Sequence, residues 1–331
     1  MNRAKRESIF INFKNLNKRS IIPTLLITYI IMIVTVSLIN PLFVSLESIK
    51  SILIYLALTG ISSIGTTFVI LTGNFDISIG SILAITSIVV AKLLTLETLG
   101  IPISVVIIAG LLVGLVIGSI NGFLVNVVGI NSLIATLGTL AIFRGIAYVF
   151  SGESLIVYDN TFRFIGRGYL FQHVPVTFIY LIVIFIFMYL ILKFTRFGRY
   201  VYSIGGKAFV AALYGIKVKK IQFLTFIISG VTASIAGILM TSQLGLGRGD
   251  FAIGWEFKII TICVLGGISI SGGRGSLVGV LISIFILGSI INMLTLADVP
   301  IIWRDFFHGI ILILAIVIDR IRVRRGELSQ F

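Results

Sequence analysis

Polar and ionisable side chains stand at isolated positions inside long apolar stretches of this sequence. In hydrocarbon such groups are costly unless they pair with one another or line a hydrated path. Two interpretations therefore stay open for each of them: it lines a route for a polar solute, or it makes a hydrogen bond between two helices. Arg144 is the best candidate for the route, because a cation at membrane depth needs a partner or a function. The candidates are Asn74, Asp76, Asn121, Asn131, Arg144, Glu256 and Asn292.

These residue types do not suit an enzyme. The sequence has only two histidines, His173 and His308, and its single cysteine, Cys263, lies in an apolar run. No metal-ligand cluster, paired carboxylates or nucleophile–base pair can be assembled from the spacing, so we predict no catalytic site, no metal and no cofactor. Asp305 and His308 are three residues apart on a predicted helix, which is compatible with a proton relay. A proton-coupled secondary transporter therefore stays as an alternative function.

The elements that must position the polar groups are membrane-spanning helices. Hydrophobic residues make up 58% of the 331 positions and charged residues 11%, and the mean hydropathy is +1.16. Apolar runs of about 20 residues, long enough to cross a bilayer, recur along the chain. Their continuous character favours helices over barrel strands. The predicted fold class is all-α, a polytopic membrane bundle of about ten helices at 21–40, 49–72, 77–95, 102–127, 132–151, 174–193, 221–243, 257–270, 276–296 and 303–319.

The distribution of charge predicts the topology. The net charge is +14, and most of the 26 Lys and Arg residues lie before Ile21, between Lys193 and Lys220, or after Ile318. Lys and Arg concentrate in cytoplasmic loops, so all three clusters and both termini are expected in the cytoplasm, and nucleic acid is not expected as a partner. The predicted organisation is a cytoplasmic tail at 1–20, a single transmembrane domain at 21–319 with a cytoplasmic loop at about 194–220, and a tail at 320–331.

An interrupted stretch, Leu71 to Ser81, separates the second and third predicted helices. It contains Asn74 and Asp76 between Gly73 and Gly80. Asp76 or Ser78 could cap the third helix by accepting a hydrogen bond from a free N–H. Alternatively, the irregular backbone lines the path or forms its gate, since such backbone is tolerated at membrane depth only where it is buried or faces a cavity.

Two further segments are unusual. In the basic loop, a short helix from about Lys207 to Leu213, ended by Gly215, would form a docking surface for a cytoplasmic partner; a plain solvated loop is the alternative. The second segment, Val264 to Gly279, is rich in glycine and can reverse the chain sharply between two helices. Its candidate hinge residues are Gly266, Gly267, Gly272, Gly273 and Gly275.

These three segments together resemble the ribose-type family of ABC-importer permeases, in the same order and spacing from about Ile49 to Asp319. The stretch Ile134–Leu140 followed by Arg144-Gly145, and the stretch Trp255–Lys258, add to the resemblance. Within the family, the chain is most similar to the autoinducer-2 permeases, through Lys258, Cys263–Ser269 and Trp303–Phe306.

The resemblance implies a permease subunit of the bacterial cytoplasmic membrane that imports a small sugar-like solute, such as autoinducer-2, ribose, or a related pentose or deoxyhexose. It implies two cytoplasmic ATP-binding subunits, a second permease subunit, identical or homologous, and an extracytoplasmic solute-binding protein that meets the outward segments 152–173 and 244–256. ATP hydrolysis would occur in the partner chains. The basic loop looks like the family's ATPase-coupling segment, although Lys207-Ala208 departs from the family pattern. Its matching residues are Gly205, Lys207, Ala211, Ala212 and Gly215.

Overall fold

The computed structural model describes residues 21–95, 100–152 and 154–328, and within these ranges the chain is mainly helical. The predicted N-terminal tail, 1–20, and the last residues of the predicted C-terminal tail, 329–331, lie outside the described residues. The helices are α1 (Ile22–Ile39), α2 (Leu46–Leu71), α3 (Ile79–Thr95), α4 (Ile103–Phe123), α5 (Ser132–Ser151), α6 (Asn160–Arg167), α7 (Val176–Phe194), α8 (Arg196–Leu213), α9 (Val218–Leu244), α10 (Trp255–Leu265), α11 (Leu277–Leu296) and α12 (Ile301–Leu328).

The predicted helical membrane fold is confirmed. Each of the ten predicted spans has a helix at its position. Seven of the described helices are long and apolar enough to cross a membrane: α1, α2, α4 with its π-helical extension to Val128, α5, α7, α9 and α11. Helix α3 is also apolar but shorter, at 17 residues. The exact number of spans and the cytoplasmic position of the termini stay predictions.

Several boundaries differ from the sequence prediction. Helix α10 ends at Leu265 rather than near residue 270, because Gly267 adopts a left-handed φ of +86° just beyond it. Helix α12 continues to Leu328, so residues 320–328 of the predicted tail are helical and continuous with the last span. The helix expected at Lys207–Leu213 begins earlier, at Arg196, and is broken at Lys207, whose φ of −155° and ψ of 97° are not helical.

Helices α2, α9 and α11 form the centre of the bundle. In the most apolar 18-residue window of each helix, 83% of α2, 67% of α11 and 61% of α9 is buried, against 11% of α1. Small residues allow close approach: a Cβ on Gly114 of α4 would overlap the carbonyl oxygen of Gly230 in α9. Such contacts between small residues hold helices together where lipid removes the hydrophobic driving force. Helices α4, α5 and α12 keep exposed apolar faces, including Leu112, Ile134 and Ile313.

The two segments predicted to face outward contact each other. They contain three short strands, β1 (Leu155–Ile156), β2 (Tyr169–Leu170) and β4 (Leu246–Gly247), and a fourth, β3 (Val174–Pro175), follows the first segment directly. Strand β1 pairs antiparallel with β4, and β2 with β3. Helix α6 begins at the N-cap Asp159, and the backbone N–H of Gly166 donates to the Ser242 hydroxyl of α9 at 2.6 Å. These segments are therefore folded onto the bundle and lie at one end of it.

Candidate translocation path and coupling junction

Asp76 lies at the centre of a buried polar network in the link between α2 and α3. Its side chain is completely buried. Oδ1 accepts hydrogen bonds from the Ser78 backbone N–H at 3.0 Å and the Ser78 hydroxyl at 2.6 Å. Oδ2 accepts from the Ser229 hydroxyl of α9 at 2.7 Å. Asp76 therefore forms a turn that leads into α3 and also connects the link to the central helix.

The network continues from Ser78 into α4 and α5. The Asn121 amide donates to the Ser78 hydroxyl at 2.8 Å, and the Thr139 hydroxyl donates to Asn121 Oδ1 at 2.7 Å. Asp76 and Asn121, both selected from the sequence, are thus brought together. Ser78, Thr139 and Ser229 complete the chain of bonds. These bonds connect the link, α4, α5 and α9. Breaking one of them would leave a buried polar group unsatisfied, which is costly, so the four elements are held together as one unit.

The link carries irregular backbone into the bundle. Gln222, in the first turns of α9, donates to the Thr72 carbonyl at 3.3 Å, whereas Asp76 contacts Ser229 seven residues further along α9. At 1.5 Å per residue this separation is about 10 Å along the helix axis. Backbone of this kind is tolerated at membrane depth where it is buried or lines a cavity. The broken stretch is therefore buried inside the bundle, and its place in the path stays a prediction.

Three other predicted path residues lie apart from this network. Asn74 donates to the Thr72 hydroxyl at 3.3 Å, and Asn131 caps α5 by accepting from the Leu133 N–H at 3.0 Å. Asn292 of α11 donates to the Ser48 hydroxyl at 2.6 Å and so ties α11 to α2. Their hydrogen bonds give Asn74 and Asn131 local roles and give Asn292 a helix–helix role.

Arg144 and Glu256 approach each other beside Gly80. Arg144 Nη1 donates to the carbonyl oxygens of Gly249 at 2.8 Å and Phe251 at 2.6 Å. Glu256 is buried, and its Oε2 has no hydrogen-bond partner among the described residues. A Cβ on Gly80 would lie 2.7 Å from Glu256 Oε2 and 3.1 Å from Arg144 Nη2. Only glycine therefore leaves room for both groups at this point of α3.

The three segments that carry the family resemblance meet at one place, which we call the coupling junction: Leu71–Gly73, Gly205–Gly206 and Gly272–Gly273. A Cβ on Gly205 would overlap the Leu71 carbonyl oxygen and the Gly273 nitrogen. The Gly273 N–H donates to the Leu71 carbonyl at 2.9 Å. These contacts join backbone directly to backbone, so the segments cannot move independently of one another without losing them.

Tyr202 adds a side-chain bond next to the junction. Its hydroxyl donates to the Gly275 carbonyl at 3.1 Å. Burial raises the pKa of Tyr202 to about 12, so the hydroxyl remains a donor throughout the physiological range. This bond connects the first half of α8 to the glycine segment that precedes α11.

The five predicted hinge glycines serve two different purposes. Gly267, Gly272, Gly273 and Gly275 have φ between +71° and +137°, the region that other residues rarely adopt. Gly266 has an ordinary φ of −67°; there a Cβ would come within 2.6 Å of the Val280 backbone in α11. The first four permit the reversal of the chain, and Gly266 permits close packing of α10 against α11.

The second half of α8 presents an apolar surface. Ala211 is only 4% exposed and therefore faces the protein, whereas Ala212 lies on the exposed side with Lys207 and Gly215. The large side chains on this surface are Phe209, Leu213 and Tyr214, which are 76%, 71% and 84% exposed. Phe209 and Leu213 were not predicted from the sequence as part of the docking surface, although a helical projection of residues 208–214 places them beside Ala212.

The proposed proton relay at the last helix is not formed. Asp305 pairs with Lys258 of α10, with Nζ and Oδ1 at 3.1 Å. His308 Nδ1 instead faces the Arg304 carbonyl at 2.8 Å. The ion pair connects α10 to α12 and engages the carboxylate that a relay through His308 would need.

The fold and these contacts define a multi-pass helical membrane protein with buried polar groups between its helices. Residues 48–316 match the family described as branched-chain amino acid transport system / permease component, and the chain belongs to this family. The resemblance to ribose-type importer permeases is thereby confirmed, together with a multi-pass location in the bacterial cytoplasmic membrane.

Individual relatives agree with this assignment. The chain is 35% identical to the ribose import permease protein RbsC of Haemophilus influenzae over 298 residues, 88% of this chain and 91% of the relative. It is 36% identical to RbsC of Bacillus subtilis over 293 residues, covering 88% and 90%. It is 32% identical to the L-arabinose transport system permease protein AraH of Escherichia coli K12 over 298 residues, 89% of each chain. No solved structure matches the chain.

Proposed function

We propose that this chain is the membrane-spanning subunit of an ATP-driven importer for a small sugar-like solute. The relatives above are named for ribose and L-arabinose, which supports a pentose or a solute of similar size. Autoinducer-2 and a deoxyhexose remain candidates on the resemblance of the sequence alone. Two ATP-binding subunits, a solute-binding protein and a second permease subunit complete the proposed assembly, and the ATP-binding subunits carry out hydrolysis.

The observation that carries the proposal is the coupling junction. In the proposed mechanism the ATP-binding subunits dock on the exposed surface of Phe209, Leu213 and Tyr214. When they close, they displace α8, and Gly205 presses on Leu71 and Gly273. Packed protein interiors transmit such displacements because they contain few voids. The end of α2 then shifts the link that holds Asp76.

The consequence for the path follows from the Asp76 network. Asp76 connects to α9 through Ser229 and to α4 and α5 through Ser78 and Asn121. A shift of the link therefore changes how these helices pack around the polar interior. Alternation between two such packings would open the path to one side of the membrane and then to the other.

The experiment is co-purification followed by measurement of ATP hydrolysis. The full chain is expressed with candidate ATP-binding and solute-binding partners and reconstituted in lipid. We expect ATP hydrolysis to rise when the loaded binding protein is added, in a comparison of D-ribose, L-arabinose, L-rhamnose and autoinducer-2. Deleting residues 207–215 should abolish association with the ATP-binding subunit while the protein still inserts. Continued co-purification of the deletion variant would refute the coupling assignment.

A further inference from the structure

A polar cavity lies at the end of α5, between the two segments predicted to face outward. We call it the outer cavity. Its volume is about 550 Å³, within the range of small-molecule sites. A polar cavity is unexpected in a chain with only 11% charged residues. Its lining residues are Tyr148, Ser151, Gly152, Ser154, Ile156, Arg248, Gly249 and Asp250.

The chemistry of the outer cavity suits a neutral polyhydroxylated molecule. Arg248 and Asp250 form a two-point ion pair, with Nε donating to Oδ1 at 2.8 Å and Nη2 donating to Oδ2. Among the described lining residues these two charges compensate each other, so this part of the lining favours neither an anion nor a cation. Both groups are partly exposed, and each keeps unused hydrogen-bonding positions: further lone pairs on the carboxylate and further N–H groups on the guanidinium.

Two further features of the lining match a sugar. Ser151 and Ser154 contribute hydroxyls; the Ser151 hydroxyl donates to the Gly152 carbonyl at 3.3 Å and keeps its acceptor positions. Tyr148 presents a half-exposed aromatic ring, which offers an apolar face against which the C–H surface of a sugar ring can pack. Donors, acceptors and one aromatic face around a neutral centre are the groups that recognise a polyol.

The walls of the outer cavity are held together at two points. At one, Leu155 pairs with Gly247 in the short sheet of β1 and β4. At the other, Arg144 donates to the carbonyl oxygens of Gly249 and Phe251. The approach at Gly249 is close, since a Cβ there would lie 2.9 Å from the Ala147 carbonyl oxygen. These contacts hold the two walls together, which lowers the entropic cost of binding.

Arg144 also places the outer cavity next to the proposed path. The same guanidinium that holds the wall at Gly249 approaches Gly80 through Nη2, beside Glu256. The Arg144 side chain thus lies between the outer cavity and the interior of the bundle.

We propose that the outer cavity is a capture site that binds a neutral polyhydroxylated solute before it enters the path; the direction of transfer, though not the binding itself, rests on the proposed function. The cavity lies in a region that a solute-binding protein would also approach. A polar docking surface for that protein is a different assignment, and the experiment separates the two.

The test uses the full chain in lipid nanodiscs, without partners, and saturation-transfer NMR with D-ribose and L-arabinose as probes. Glycine betaine, which lacks hydroxyls, serves as the negative probe. We expect transfer to both sugars and none to betaine. Arg248→Gln, Asp250→Asn and the double variant should each weaken binding about tenfold, the effect of losing hydrogen bonds to a charged group. The double variant leaves no unpaired charge, so its folding is the least affected.

The matched control is Asp298→Asn. Asp298 is an exposed aspartate in the connection between α11 and α12 and does not line the outer cavity, and asparagine tolerates its positive φ of 52°. The Asp298→Asn variant should bind both sugars as the unmodified chain does. Absence of sugar transfer in the unmodified chain, or undiminished transfer in the double variant, overturns the proposal. In a separate pull-down with the solute-binding protein, loss of association by the double variant with unchanged sugar transfer also overturns the proposal, in favour of docking. Failure of the ATP-binding subunit to associate refutes the proposed function and leaves the sugar result standing.

Discussion

Gly205 of α8 packs so closely against Gly273 that a Cβ at position 205 would overlap the Gly273 nitrogen. The two residues belong to segments 68 positions apart, and the Leu71 carbonyl lies between them as a third partner. Movement of α8 therefore reaches the end of α2 and the glycine segment through backbone contacts alone.

This contact predicts a sharp difference between neighbouring glycines. Gly205→Ala should force the backbones apart, at a cost of about 1–3 kcal/mol for overpacking, and should uncouple ATP hydrolysis from transport. Gly206→Ala is the matched control, because no atom lies within 4 Å of its Cβ position. The measurement is solute uptake per ATP hydrolysed in proteoliposomes. Equal ratios for the two variants would contradict the role of the junction.

The buried Asp76 network predicts an order of stability. Asp76→Ala leaves Ser229, the Ser78 N–H and the Ser78 hydroxyl without their acceptor, which should cost about 1–3 kcal/mol for each group that stays unsatisfied. Asp76→Asn retains one acceptor oxygen, and its amide can donate to the Ser229 hydroxyl, so it should be less destabilising. The measurement is thermal unfolding in lipid nanodiscs. An Asp76→Ala variant that unfolds at the same midpoint temperature as the unmodified chain would show that the network does not hold the link.

The hydrogen bonds of Arg144 predict that this side chain holds the loop at 248–252 in place. Arg144→Gln should free the loop at 248–252 and speed cleavage by trypsin after Arg248, because the bonds to Gly249 and Phe251 are lost. Arg304→Gln is the control, since Arg304 makes the same kind of bond to the Val299 carbonyl of another connection, at 3.0 Å. Its cleavage after Arg248 should match the unmodified chain. Slow cleavage in both variants would mean that other contacts hold the wall.

The sequence predicts the helices well because apolar length is a local property. Every predicted span has its helix, and Asp76 and Asn121 were selected because a polar group in an apolar run is visible in one dimension. The contacts between Gly205 and Gly273, or between Arg144 and Gly249, depend on how distant segments pack. Nothing in the local pattern encodes them. The outer cavity was missed for the same reason, since its walls come from segments about 100 positions apart.

An ATP-driven importer and a proton-coupled transporter predict different effects of removing the Asp305 carboxylate. The Asp305 side chain is 68% exposed and pairs with Lys258, which is 20% exposed, and in an ATP-driven importer this pair only connects α10 to α12. Asp305→Asn should therefore leave uptake and its dependence on pH nearly unchanged, whereas an obligatory proton carrier at this position would lose transport on the same substitution. Uptake by the reconstituted importer is measured from pH 6 to 8 (about one unit either side of neutral, spanning the ordinary histidine pKa), with Lys258→Gln as the partner control. Loss of uptake in Asp305→Asn but not in Lys258→Gln would favour the proton-coupled mechanism, because it would show that uptake needs the Asp305 carboxylate itself and not its ion pair.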